Sequence, residues 1–236
     1  MPDYKALEKE FQRILGLIRR PVAVSLRDDA PRGVEKFSGS EPSGCSFWRL
    51  AAHGRTFATV PSDHYNCPIG AHTHNIPLPE NRSHELPQIL ETMTGLGYVK
   101  MEEVPGIPVL QHTPKNIMFA PLGETPVDPD VVLFAAKPGK LMLLEEAANR
   151  AGIRSSMQLL TRPTCMASPA ALTEGMVTSA GCIGNRVYTD LTEDELYSAV
   201  PGSAIERLAG ELATIVAANN ALADYHRARR RELSTA

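Results

Sequence analysis

Asp130-Val131-Val132-Leu133-Phe134-Ala135-Ala136 is a strongly apolar run closed at once by Lys137-Pro138-Gly139. A run this short between Pro129 and Pro138 suits a buried strand better than a helix, so the chain is expected to build its core on a sheet. Upstream, Asn116 to Pro121 reads as a neighbouring strand. Downstream, Lys140 to Ala151 is rich in Leu, Glu and Ala and reads as a helix that stops at Gly152. Further out, Leu7, Phe11, Ile14, Leu15 and Ile18 recur at helical steps, predicting an amphipathic helix from Tyr4 to about Arg19 that Pro21 ends. Pro21 to Leu26 reads as a strand, Asp28 to Ser43 as a loop, Cys45 to His53 as a helix and Arg55 to Val60 as a strand. Leu86 to Leu96 follows as a helix after a connection punctuated by Pro77, Pro79 and Pro87. Thr192-Glu-Asp-Glu195 reads as a helix start. A long helix from Ser203 to Arg231 closes the chain, with Glu206 at the capping-box spacing from Ser203.

Composition narrows the functional classes. Hydrophobic residues make up 43% and charged residues 22%, an ordinary globular balance. The net charge of −3 gives no electrostatic reason to expect a nucleic-acid partner. The basic run Arg227, Arg229, Arg230, Arg231 reads as the solvated end of the last helix. No apolar stretch approaches a membrane span, and the acidic, amphipathic start does not resemble a signal peptide. A cytoplasmic protein is therefore expected, and in that reducing compartment its four cysteines suit metal or redox chemistry better than disulfides.

The sequence runs through a similar series twice. Pro21-Val-Ala-Val precedes Cys45, an Ala-containing segment to Gly54, a β-rich run and Cys67-Pro-Ile-Gly70. Val131-Val-Leu-Phe precedes Cys165, an Ala-rich segment to Gly175, a β-rich run and Cys182-Ile-Gly184. The expected fold is α+β (α/β-type), one domain over residues 1–236 made of two related, intimately packed halves about a pseudo-two-fold axis. The repeat spans 21–100 and 116–231. Each half would supply two cysteines, and four thiols could converge at the junction.

Thiolates are soft ligands, and four suit an iron–sulfur cluster or tetrahedral zinc. Here they are dispersed rather than paired as Cys-x-x-Cys, so the whole fold would have to assemble them. Gly44, Gly70, Gly181 and Gly184 near the cysteines suit turns that present sulfur and backbone N–H groups. His64 lies three residues before Cys67 and could ligate a metal or activate that thiol, with His72 and His74 as weaker candidates. Arg186 could hold an anionic ligand. Phe47 and Trp48 read as core. Dinucleotide, P-loop, serine-hydrolase and zincin motifs do not occur.

Taken together, Pro21-Val-Ala-Val, Cys45 with Ala51 and Gly54, His64-Tyr-Asn-Cys67-Pro-Ile-Gly70, Arg162-Pro-Thr-Cys165 and Gly181-Cys182-Ile-Gly-Asn-Arg186-Val-Tyr188 form a distinctive set. It resembles the ArCR-like proteins of bacteria and archaea, a domain of unknown function, from about Pro21 to the terminal helix. That resemblance supplies no reaction. The expectation is a metalloprotein with Cys45, Cys67, Cys165 and Cys182 as ligands to an iron–sulfur cluster, zinc being the second candidate, for electron transfer or redox catalysis. Gly70, Gly184, Arg186 and His64 would line the cofactor site, and an oxidoreductase is the enzyme class implied. The partner would be a redox partner or a small molecule. The alternatives are a reactive-cysteine enzyme, through Cys67 with His64 or Cys182 with Arg186, and a non-enzymatic small-molecule binding or regulatory module.

Overall fold

The computed structural model describes residues 2–29, 32–160 and 162–234. Its first half runs α1 (Tyr4–Leu15), β1 (Val22–Arg27), β2 (Glu35–Lys36), α2 (Ser46–Ala52), β3 (Phe57–Thr59), α3 (Pro68–Thr73), α4 (Glu85–Gly95) and β4 (Asn116–Pro121). Its second runs β5 (Val131–Ala136), α5 (Pro138–Arg150), β6 (Ser155–Gln158), α6 (Ala167–Glu174), β7 (Met176–Ser179), α7 (Ile183–Thr189), β8 (Leu196–Pro201) and α8 (Ile205–Ser234). The fold is α+β, with all eight strands in one mixed sheet of order β2-β3-β4-β1-β5-β8-β7-β6.

Strand alternation divides the core in two. In β5, Val131, Leu133 and Ala135 face one side while Val132, Phe134 and Ala136 face the other, and all six are buried. The Val132 and Phe134 side is covered by α1, α5 and α8, through residues such as Phe11, Leu144 and Leu208. The Val131 and Leu133 side is covered by Phe47, Trp48 and Ala51 of α2, Ala71 of α3, and Ala167 and Ala171 of α6. Phe47 and Trp48 are thus core residues.

The sheet has the same order read inward from either edge, β2-β3-β4-β1 and β6-β7-β8-β5. The outermost pair is parallel on both sides, and the next two are antiparallel. At the middle, β1 and β5 pair antiparallel over Val22–Val24 and Val131–Leu133. Even the turns match. Leu122 N–H donates to Pro21 O and Gly202 N–H to Asp130 O, each at 2.8 Å, as the chain leaves β4 and β8. Gly202 cannot be replaced there without moving the backbone, because a Cβ would lie 1.8 Å from Pro129 O.

Two expectations shift. Gly16, in the left-handed conformation at φ 61°, ends α1 before Pro21 can. Thr192–Glu195 is a turn into β8, not a helix start. Glu195 accepts from Thr192 N–H at 3.2 Å and ion-pairs with Arg19, so a strand begins where a capping motif was read. In α8, Ile205, Leu208 and Leu212 are buried, Ile215 and Val216 pack partly buried against the same core, and Leu222 is exposed.

Candidate functional site

Cys45, Cys67, Cys165 and Cys182 are all free thiols and belong to one face of the sheet. Cys45 is the residue before α2, 6% exposed, with its Sγ 3.1 Å from Ser43 Oγ. Cys67 caps α3, its Sγ accepting from Gly70 N–H at 3.3 Å. Cys182 caps α7 in the same manner, accepting from Asn185 N–H at 3.4 Å. Cys165 is buried in the short 3-10 turn that leads into α6, and the neighbouring Thr164 hydroxyl accepts from Cys182 N–H at 2.7 Å. Packing of α2 on α7, and of α3 on the Cys165 turn, brings first-half and second-half cysteines together.

The thiols are electrostatically one group. Cys45 feels Cys182 and Cys67, Cys67 feels Cys182, and Cys165 feels the other three. Burial pushes the Cys45 thiol up to about 11 and the Cys165 thiol well above its usual range, because a thiolate loses its hydration there. Burial raises Cys67 as well, opposed by main-chain N–H groups of Gly70, Gly44 and Ile69. Among the described residues, no three His, Cys, Asp or Glu side chains are arranged as they stand to hold a single metal ion.

His64 lies beside this group. Its Nε2 is 2.8 Å from Thr59 Oγ1, whose own proton goes to Ile117 O at 3.1 Å. Thr59 must therefore accept, which puts the ring proton on Nε2 and leaves Nδ1 bare; that atom is buried without a partner. Burial, with His74 nearby, pushes His64 down to about 3, so the ring is neutral. His74 is also buried and neutral, with Nδ1 3.0 Å from Gly70 O, while His72 is half-exposed.

Gly70 fits a crowded site: a Cβ would stand 3.1 Å from Cys67 Sγ. Gly181, at φ 80°, leaves room for Asn185, whose Oδ1 would be 2.9 Å from a Cβ there. Gly184 is under no such demand, its nearest neighbour being the Tyr188 ring at 3.7 Å. Arg186 is committed to the carbonyls of Thr192, Ala180 and Glu195, so its guanidinium braces the Cys182 turn.

Residue spacing did not single out Asn185. It is 1% exposed, and neither amide atom makes a hydrogen bond of good geometry, although such a group ordinarily costs about 1–3 kcal/mol when left unsatisfied. Its amide faces the Cys45 thiol and the Tyr197 hydroxyl. The available signal was the Cys182-x-x-Asn185 capping step, which matches Cys67-x-x-Gly70.

A model of the family described as uncharacterised ArCR matches residues 10–211. No curated protein and no solved structure matches the chain.

Proposed function

The chain belongs to the uncharacterised ArCR family, and from its site we propose that Cys45, Cys67, Cys165 and Cys182 hold an iron–sulfur cluster for one-electron transfer or redox catalysis. The observation that carries this reading is the convergence of four thiols from four separate elements into one interacting group. Main-chain N–H groups already point at Cys67 and Cys182, and an N–H donor stabilises a charged, metal-bound sulfur far more than a protonated one. Metal binding displaces the thiol protons that burial otherwise holds in place. The matching strand order from the two sheet edges supports two related halves that contribute two cysteines each.

Zinc is the second candidate. A single zinc would need four sulfurs drawn to about 2.3 Å from one centre. A cluster spreads its cysteines over several irons and accepts a wider cage than a single ion does. A metal-free nucleophile at Cys67 has less support: reactive cysteines have lowered pKa values, whereas burial raises this one. Held by Cys45, Cys67, Cys165 and Cys182, a cluster would supply one-electron redox chemistry between a redox protein or small-molecule donor and an acceptor. Reduced cysteines fit a cytoplasmic setting, and no helix among the described residues is long and apolar enough to cross a membrane.

Anaerobic purification with iron, zinc and acid-labile sulfide analysis tests the reading. Iron and sulfide in stoichiometric amounts, with visible absorbance bleached by dithionite and lost in Cys165→Ser, is the expected result. Zinc without sulfide, or neither metal after anaerobic reconstitution, overturns the cluster.

A further inference from the structure

The Asn185 amide is an anomaly that four cysteine ligands do not by themselves explain. It is fully enclosed and makes no hydrogen bond of good geometry at either polar end, yet it projects from α7, which packs against α2, and lies beside Cys45 at the start of that helix. The same residue's main-chain N–H donates to Cys182 Sγ at 3.4 Å. One residue thus addresses a sulfur from each half of the chain.

We propose that Asn185 is a positioning residue for the thiolate site, its main-chain N–H donating to Cys182 and its side-chain Nδ2 donating to Cys45 once that sulfur is deprotonated and bound to metal. This rests on the cluster reading above. A protonated thiol is a weak acceptor, so the amide gains little from Cys45 while that sulfur carries its proton; a metal-bound thiolate carries the charge that such a donor seeks. The amide already lies beside the Cys45 sulfur. Tyr197, whose hydroxyl lies by the other end of the amide, can then donate to Oδ1. Hydrogen bonds to cluster sulfurs favour the reduced, more negative state and so raise the reduction potential. Asn185 would set that potential without being a ligand.

The test is a dye-mediated redox titration of anaerobically reconstituted protein, read beside its iron and sulfide content. Asn185→Leu keeps the volume and removes both hydrogen-bonding ends, and Asn185→Gln keeps an amide. The expected result is a wild-type cluster content in both variants, a midpoint potential moved to more negative values in the Leu variant, and part of that shift recovered in the Gln variant. A fully loaded Leu variant with an unchanged potential overturns the role of Asn185 and leaves the cluster standing. Failure of both variants to load, with wild-type circular dichroism, also overturns it by making the residue a requirement of assembly. Absence of a cluster in the wild type removes both readings together.

Discussion

On the side of the sheet covered by α1, α5 and α8, Phe11 meets Phe134 edge to face at 4.9 Å, with Leu144 and Leu208 fully buried around them. On the opposite side the same strands meet α2, α3, α6 and α7, where four cysteines, two neutral histidines and Asn185 share the interior. His64, Asn185 and Ser168 each retain a buried polar atom without a partner. The first side is covered by the longer helices. The second has short helices, α3 and α7 among them capped by sulfur, over an aromatic cluster of Phe47, Trp48, Phe57 and Phe119. Buried polar atoms without a partner are local departures from good packing, and such departures mark the place where function is to be sought.

The largest expected effect falls on the apolar side. Phe134→Ala should lower unfolding free energy by about 3–5 kcal/mol in urea melts, through lost burial and the cavity left behind. A loss below about 1 kcal/mol would break the contrast between the faces.

Acid should act on the other side. Above pH 6.5, His64 and His74 are neutral whether the chain is folded or unfolded. Below it the unfolded chain takes up protons that the folded chain refuses, since the folded-state pKa of both is lowered, that of His64 to about 3. Stability should therefore fall by up to about 1.4 kcal/mol per pH unit from His64, with a further loss from His74, as pH drops below 6.5. His64→Gln should flatten the metal-free protein's stability profile between pH 6.5 and 4.5 relative to wild type; parallel profiles would show that His64 is not held neutral.

A smaller and opposite effect is expected at Asn185. In metal-free protein Asn185→Leu removes an unsatisfied amide, so stability should change by less than about 1 kcal/mol or rise. A loss comparable to Phe134→Ala would mean that the amide is part of the packing. Smallest of all is Arg227→Ala, whose exposed i,i+3 pair with Asp224 should be worth no more than about 0.5 kcal/mol in the same melts.

The central strands were legible in the sequence because burial on both faces makes them continuously apolar: Asn116–Pro121 has its expected bounds and β5 starts one residue late. The edges were not. Glu35–Lys36 is two exposed charged residues, and Ser155–Gln158 is polar and partly exposed, so neither shows a pattern against a loop background. β8 was hidden by Thr192–Glu195, whose carboxylate serves Arg19 and a turn instead of a helix. At the site, Cys-to-Gly spacing pointed to the cysteines as a set. The proton position on His64 depended on Thr59 and Ile117 across the sheet, and the use of Arg186 on carbonyls from Ala180 to Glu195 depended on the fold of that turn. Neither can be read from spacing.

The sheet's two borders have a consequence for the protein at high concentration. Each outermost strand is short: β2 presents Glu35 and Lys36, and β6 presents Ser155, Ser156, Met157 and Gln158. A growing fibril needs a long, uncharged row of free N–H and C=O groups to recruit the next chain. Eight strands wide, this sheet ends on both sides in a fringe too brief or too polar to seed one, so any tendency to self-associate should come from side-chain surfaces and not from strand addition.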